Sequence, residues 1–125
     1  MSKKILLIED EKPILDALVD KFSGEGFEVL TAMNGADGLE ASINQHPDLI
    51  VVDVIMPKMN GMAMLKKLRQ DSWGEHAQVI VLTNVNPETD GTLSLILDFK
   101  PAFYLVKSDT SLENIAQKAR EVLNI

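Results

Sequence analysis

The sequence contains no cysteine, which excludes disulfide bonds and thiolate metal sites. It also has no apolar run near the roughly 18 residues that a membrane-spanning helix needs. Basic residues are outnumbered, 12 against 19 acidic ones, and the net charge of −7 disfavours non-specific binding to nucleic acid. The first apolar stretch covers only residues 5–8, which is too short for a secretory signal. We therefore expect a cytoplasmic protein that binds neither membranes nor nucleic acid directly.

The chain has 125 residues, of which 46% are hydrophobic and 25% charged. This composition is close to that of soluble globular proteins, and the length allows one hydrophobic core of ordinary size. We expect a single domain over residues 1–125.

Five short apolar runs alternate with segments of helical periodicity, at residues 5–8, 27–32, 49–52, 79–82 and 103–106. The first, third and fourth runs are continuously apolar and rich in β-branched residues, as in strands buried on both faces of a parallel sheet. The second contains Glu28 and Thr31, which suits an edge strand. The pattern predicts an α/β fold: a doubly wound, five-stranded parallel sheet with five helices in a three-layer sandwich.

Cap and first-turn signals place the beginnings of the helices. Asn34 can cap the second helix, which carries Leu39 and Ile43, and the sequence from Thr110 to Glu113 has the spacing of a capping box. We predict that the five helices begin near, in order, Pro13, Asn34, Gly61, Asn86 and Thr110.

Polar residues follow four of the apolar runs. Glu9 and Asp10 follow the first, Asp53 the third, Thr83 the fourth and Lys107 the fifth. In open α/β sheets the carboxyl ends of the strands form the ligand-binding edge, so these groups should converge there. Clustered carboxylates favour a bound hard cation such as Mg²⁺, and a carboxylate can attack phosphorus to form an aspartyl-phosphate. The ammonium and the hydroxyl could compensate charge on the phosphoryl oxygens.

The segment around Asp53 resembles the D-x-x-M-P-x-M-[DN]-G motif of the response-regulator receiver family of two-component signalling. The matching residues are Asp53, Met56, Pro57, Met59, Asn60 and Gly61. The resemblance extends over almost the whole chain and implies a flavodoxin-like fold with strand order 2-1-3-4-5. It also implies that residues 1–125 form a single receiver domain.

The resemblance implies a Mg²⁺ site next to the phosphoacceptor Asp53. Asp10 and Asp53 would be direct ligands, Glu9 would act through a water molecule, and the main-chain carbonyl of Ile55 would be a third protein ligand.

The resemblance further implies a switch. Lys107 would contact the phosphoryl group, Thr83 would be the switch hydroxyl, and Tyr104 would be the switch aromatic residue. A sensor histidine kinase or a phosphotransfer protein would supply the phosphoryl group. The face formed by the fourth helix, fifth strand and fifth helix would then bind a downstream protein.

Three features depart from the family pattern. Ser108 follows the lysine where proline with a cis peptide is usual, Asn84 follows Thr83 where a small residue is usual, and residues 99–103 lack the usual glycine-alanine turn. A cis peptide before a residue other than proline costs about 3–4 kcal/mol, so the peptide before Ser108 is either trans or strained.

Other interpretations remain open. A haloacid-dehalogenase-like phosphatase would have an acid two residues after the nucleophile, but Ile55 occupies that position, so we do not expect an enzyme beyond self-phosphorylation and slow autodephosphorylation. A phosphate-independent pseudo-receiver, used only for binding, is the alternative function. Tyr104 could be a half-buried packing residue, and Glu11 is expected to act only as a first-turn charge on a helix.

Overall fold

The computed structural model describes residues 2–56, 58–84 and 96–125, and within them it contains a five-stranded parallel sheet. The strand order is β2-β1-β3-β4-β5, which confirms the predicted order. In chain order the strands are β1 (Lys4–Ile8), β2 (Glu28–Ala32), β3 (Leu49–Val52), β4 (Val79–Thr83) and β5 (Phe103–Val106).

The α-helices of the described residues are α1 (Lys12–Gly24), α2 (Gly35–Gln45), α3 (Gly61–Gln70) and a C-terminal helix (Leu112–Leu123). Two short 3-10 helices cover Gly74–His76 and Lys107–Asp109. The predicted start of the fourth helix at Asn86 lies outside the described residues, and the described chain resumes in helical conformation at Ile96. No helix in these three ranges is both long and apolar enough to cross a bilayer.

Alternate strand residues point into two separate cores. Leu6 and Ile8 of β1 pack on the side of α2 and α3, whereas Ile5 and Leu7 pack on the side of α1 and the C-terminal helix. All four side chains are at most 1% exposed. Successive residues of a strand point to opposite faces, so a run that is apolar throughout requires helices on both sides. The predicted three-layer sandwich is confirmed.

The second helix buries small residues, and of its two apolar residues named from the sequence only Leu39 packs against the core. Its buried residues are Gly35, Gly38 and Ser42, while Ile43 is 36% exposed. A Cβ at Gly38 would meet the side chain of Ile8, so the helix lies too close to β1 for a larger residue there. The predicted cap is correct, since the Asn34 side chain accepts a hydrogen bond from the amide of Asp37 at 2.8 Å.

The capping box predicted for the last helix is wrong. The N-cap is Ser111, whose hydroxyl accepts from the amide of Asn114 at 3.0 Å. Glu113 instead forms ion pairs with Lys21 of α1 and Arg120 of its own helix. Its carboxylate therefore links two helices that pack side by side, and local spacing cannot distinguish this role from capping.

Arg69 of α3 connects three segments at the end of the sheet opposite the strand carboxyl ends. Its guanidinium donates to five main-chain carbonyls, among them those of Ala77 at 2.7 Å, Gly74 at 2.8 Å and Phe99 at 2.8 Å. Burial lowers the pKa of Arg69. The side chain therefore fixes the connection before β4 and the connection before β5 to the same helix.

We expect Arg69→Met to lower the free energy of unfolding by about 2–3 kcal/mol, because several carbonyls would lose their donor at once. Urea denaturation measures this. Lys66→Met, an equal change of charge at an exposed position of the same helix, is the matched control and should stay within about 0.5 kcal/mol of the parent. Equal losses in the two variants would contradict the role assigned to the guanidinium.

Candidate functional site

Two carboxylates stand side by side at the carboxyl ends of the central strands. The amide of Glu9 donates to the carbonyl of Ala32 at 3.0 Å, and the amide of Asp53 donates to the carbonyl of Ile8 at 3.1 Å. These bonds extend the sheet by one residue on β1 and on β3. Glu9 is 2% exposed and Asp53 is 5% exposed. Both acids are therefore held by the sheet itself, with little freedom to move apart.

Lys107, the first residue after β5, neutralises this pair. Its ammonium lies 2.7 Å from Glu9 Oε1 and 2.8 Å from Asp53 Oδ2, and also 3.1 Å from Glu11 Oε2. Burial alone would lower the pKa of Lys107, but the hydrogen bonds to Asp53, Glu9 and Glu11 outweigh it and raise the pKa above its ordinary value. The ammonium is therefore a permanent charge at this site.

Glu9 is the most strongly perturbed acid of the site. Burial is the main cause that raises its pKa to about 7; the charge of Asp53 acts in the same direction, and the Lys107 ammonium opposes both. Desolvation penalises the ionised form more than the shared ammonium offsets. Three carboxylates share this one ammonium, so the acidic groups of the site outnumber its cation.

Glu9, Asp10 and Asp53 together have the geometry of a cation site. One carboxylate oxygen from each lies within 4.8 Å of the others. The adjoining cleft has a volume of about 220 Å³ and is lined by Asp10, Glu11, Asp53, Ile55, Thr83, Asn84 and Lys107. A donor set made only of oxygen atoms, with excess negative charge and an open side, fits a hard divalent cation that keeps part of its water shell.

The loop after Asp53 requires a glycine for steric reasons. A Cβ at Gly61 would overlap the main-chain carbonyl oxygen of Asp53 and would lie 2.7 Å from the Cα of Val54. The amide of Gly61 donates to the carbonyl of Val54 at 3.1 Å, and Asn60 caps α3 by accepting from the amide of Ala63 at 2.9 Å. The start of α3 is therefore packed directly against the backbone that carries Asp53.

Comparison with known families supports this geometry. Residues 5–118 match the family model of the response regulator receiver domain. The chain belongs to the response regulator receiver family. The five-stranded parallel sheet with order β2-β1-β3-β4-β5 is thus the fold of a receiver domain.

The receiver is similar to the alkaline phosphatase synthesis transcriptional regulatory protein PhoP of Bacillus subtilis (strain 168), with 37% identity over 97 residues. That match covers 78% of this chain and 40% of PhoP, so the chain spans less than half the length of this relative. Among solved structures, the CheY-like receiver domain protein from Methanospirillum hungatei JF-1 superposes with a TM-score of 0.89 at 24% identity, covering 99% of this chain and 95% of that one.

A further solved structure is the receiver domain of the sensor histidine kinase PA1611 from Pseudomonas aeruginosa PAO1, which has a magnesium ion in its active-site cleft. It superposes with a TM-score of 0.84 at 20% identity over the whole of both chains. At this identity the likeness concerns the fold.

The structure brings most of the predicted site residues to one edge of the receiver. Thr83 is 1% exposed and lines the cleft with Asp10 and Lys107. Tyr104 is half-buried opposite Val81, and it packs on the core on the side of α2 and α3. The roles assigned to these residues remain predictions.

Ile55 lies at the mouth of the cleft. Its amide donates to Asp53 Oδ1 at 3.2 Å, and its side chain is 64% exposed. The amide therefore helps to orient the Asp53 carboxylate. The role of its carbonyl as a metal ligand remains a prediction.

Two contacts of the site were not expected from the sequence. Glu11 was interpreted only as a first-turn charge, but its carboxylate reaches Lys107. Asn84 was named only as a departure from the family pattern, but its side chain accepts a hydrogen bond from the amide of Ser108 at 3.2 Å. The described residues contain no cis peptide, so the bond between Lys107 and Ser108 is trans.

We expect Gly61→Ala to lower the free energy of unfolding by about 1–3 kcal/mol, because its Cβ would force the Asp53 carbonyl and α3 apart. Urea denaturation measures the loss. Gly24→Ala is the matched control, since nothing lies within 4 Å of its Cβ position. It should be neutral or slightly stabilising. A neutral Gly61→Ala variant would show that the close approach is not a constraint.

Proposed function

We propose that this receiver is a phosphoacceptor switch in which Asp53 takes a phosphoryl group in the presence of Mg²⁺. The observation that carries the proposal is the contact of a 5% exposed Asp53 with the Lys107 ammonium at 2.8 Å, at the wall of a cleft. The ammonium is placed to neutralise a phosphoryl oxygen in transfer, which is the main catalytic requirement of this reaction.

The donor we propose is a phosphohistidine of a sensor histidine kinase or of a phosphotransfer protein. An oxygen of the Asp53 carboxylate forms a bond to phosphorus while the bond between phosphorus and the imidazole nitrogen breaks. The electron pair of the broken bond stays on that nitrogen. Asp53 Oδ2 and Oδ1 are oriented for this by Lys107 and by the amide of Ile55.

Asp10, Asp53 and the carbonyl of Ile55 would hold Mg²⁺ directly, with Glu9 acting through water. When bound, the ion would neutralise the carboxylates and the equatorial oxygens of the phosphoryl group. The support for this assignment is the cluster of three acids within 4.8 Å of one another.

The aspartyl-phosphate would act as the signal by adding charge of about −2 and strong acceptor oxygens to the cleft. Thr83 would turn towards these oxygens, and Tyr104, which lies on the neighbouring strand, would turn inward. This shifts a two-state population towards a different form of the face made by the fourth helix, β5 and the C-terminal helix. A downstream protein would recognise that form.

We propose that residues 1–125 act as one receiver domain in the cytoplasm. The acidic net charge of −7 supports protein partners rather than direct contact with nucleic acid. Catalysis would extend no further than the receiver's own phosphorylation and slow dephosphorylation.

We expect a single phosphoryl adduct after incubation with acetyl phosphate and Mg²⁺, detected by intact-mass spectrometry. The adduct should vanish in Asp53→Ala and in EDTA, because the acceptor or the charge compensation is removed. Asp20→Ala removes an exposed carboxylate of α1 and should leave the adduct unchanged. If neither acetyl phosphate nor beryllofluoride binds, the protein is a phosphate-independent binding module.

We also expect a long-lived adduct, persisting for many minutes in purified protein at neutral pH. The exposed Ile55 side chain at the cleft can neither donate nor accept a hydrogen bond, so it cannot orient a hydrolytic water. Val85, two residues after Thr83, lies outside the described residues. Ile55→Gln should hasten loss of the adduct severalfold, while Ile125→Gln, at the exposed chain end, should not. Decay of the parent within seconds would contradict this explanation.

A further inference from the structure

The hydrogen bond between Asn84 and Ser108 joins the two loops that leave the last strands of the sheet. Asn84 Oδ1 accepts from the Ser108 amide at 3.2 Å across 24 residues of sequence. Asn84 follows Thr83 directly, and Ser108 follows Lys107 directly. The bond therefore connects the neighbours of two residues that line the proposed phosphorylation cleft.

The sheet alone does not extend to Lys107. The pairing of β4 with β5 ends with Thr83 opposite Val106, and the chain then enters the short 3-10 helix Lys107–Asp109. Lys107 is the first residue of that turn, beyond the last strand pair. Its ammonium lies at the end of a flexible four-carbon side chain, so its position depends on the backbone from which the chain extends.

The amide that Asn84 engages exists only because residue 108 is not proline, which has no N–H to donate. The peptide before Ser108 is trans, and the amide points to the side chain of Asn84. The two residues that differ from the family pattern therefore form one contact. Ser108 supplies the donor of the hydrogen bond and Asn84 supplies the acceptor.

We propose that Asn84 is a positioning residue for the phosphoacceptor site. Its carboxamide holds the Ser108 amide, and through it the turn that places the Lys107 ammonium 2.8 Å from Asp53 Oδ2. The inference rests on the proposed function. A positioning role predicts slower phosphorylation when Asn84 is replaced. A purely steric role, in which Asn84 as part of the cleft wall would only obstruct the phosphoryl donor, predicts faster phosphorylation.

The test measures the rate of Asp53 phosphorylation by acetyl phosphate with Mg²⁺ in matched variants. Asn84→Leu keeps a side chain of similar size without the acceptor, and Asn84→Ala also opens the wall. Loss of one exposed hydrogen bond should slow both of them about threefold to tenfold. Ser108→Pro removes the donor but also restricts Lys107 and admits a cis peptide, so it serves only as a background for Asn84→Leu. Ser108→Ala retains the amide and should match the parent.

The double variant Asn84→Leu/Ser108→Pro should match Ser108→Pro alone, because in that background Asn84 has no bond left to lose. Multiplied effects in the double variant would overturn the proposal. A faster Asn84→Ala together with an unchanged Asn84→Leu would also overturn it, because that result assigns Asn84 to the wall alone. If Ser108→Pro does not fold, the two Asn84 variants still decide between these outcomes.

A second readout does not depend on phosphorylation. The side-chain ammonium signal of ¹⁵N-labelled Lys107, identified by its loss in Lys107→Met, should be sharp in the parent, because three carboxylates hold it. It should broaden or shift in Asn84→Leu but not in Ser108→Ala. An unchanged signal would overturn the positioning role. If the parent is not phosphorylated but its signal responds in this way, the proposed function fails while the coupling of Asn84 to Lys107 stands.

Discussion

The Lys107 ammonium, placed between Glu9 and Asp53, is the interaction on which the rest of the site depends. Two carboxylates with side chains only 3% and 6% exposed repel each other when both are charged, and the ammonium between them offsets that repulsion. The cation follows a different strand: β1 and β3 end level with each other, and β5 runs two residues further before Lys107. Their parallel pairing provides this alignment, and the two cores on either side of the sheet maintain it.

This arrangement explains why the acceptor loop is so tightly packed. Asp53 can keep its place against Lys107 only if its backbone does not move, and Gly61 allows α3 to approach that backbone without a side chain between them. Ile55 and Asn84 also line the cleft, and both are exposed. The receiver thus combines a closely packed Asp53 backbone with exposed residues beside the cleft, which suits the proposed phosphoacceptor role.

The sheet and the main site could be predicted from the sequence because they depend on short, strongly constrained patterns. Strands buried on both faces must be apolar throughout, and the residue after each of them lies at one edge. Contacts between distant segments were harder to predict. Glu11 has the same sequence context whether its charge is solvated or reaches Lys107, and the proximity of Asn84 to Ser108 depends on where the β4–β5 pairing ends.

Helix packing was also predicted incompletely. The second helix carries Ile43 as predicted, but this side chain is exposed, and the helix approaches β1 through Gly38, where a Cβ would meet the side chain of Ile8. The last helix has the spacing of a capping box, yet Glu113 pairs with Lys21 on another helix. In both cases tertiary contact prevailed over a local preference of less than about 2 kcal/mol.

Arg69 has a consequence for how this chain can vary. Every acceptor of its guanidinium is a main-chain carbonyl, and a carbonyl is present whatever the side chain. Residues such as Glu75, Ala77 and Lys100 can therefore be replaced without removing an acceptor from the cluster. For these hydrogen bonds the side-chain requirement falls on one position of α3, whereas Gly74 is fixed for a separate reason, since a Cβ there would overlap the carbonyl oxygen of Leu68.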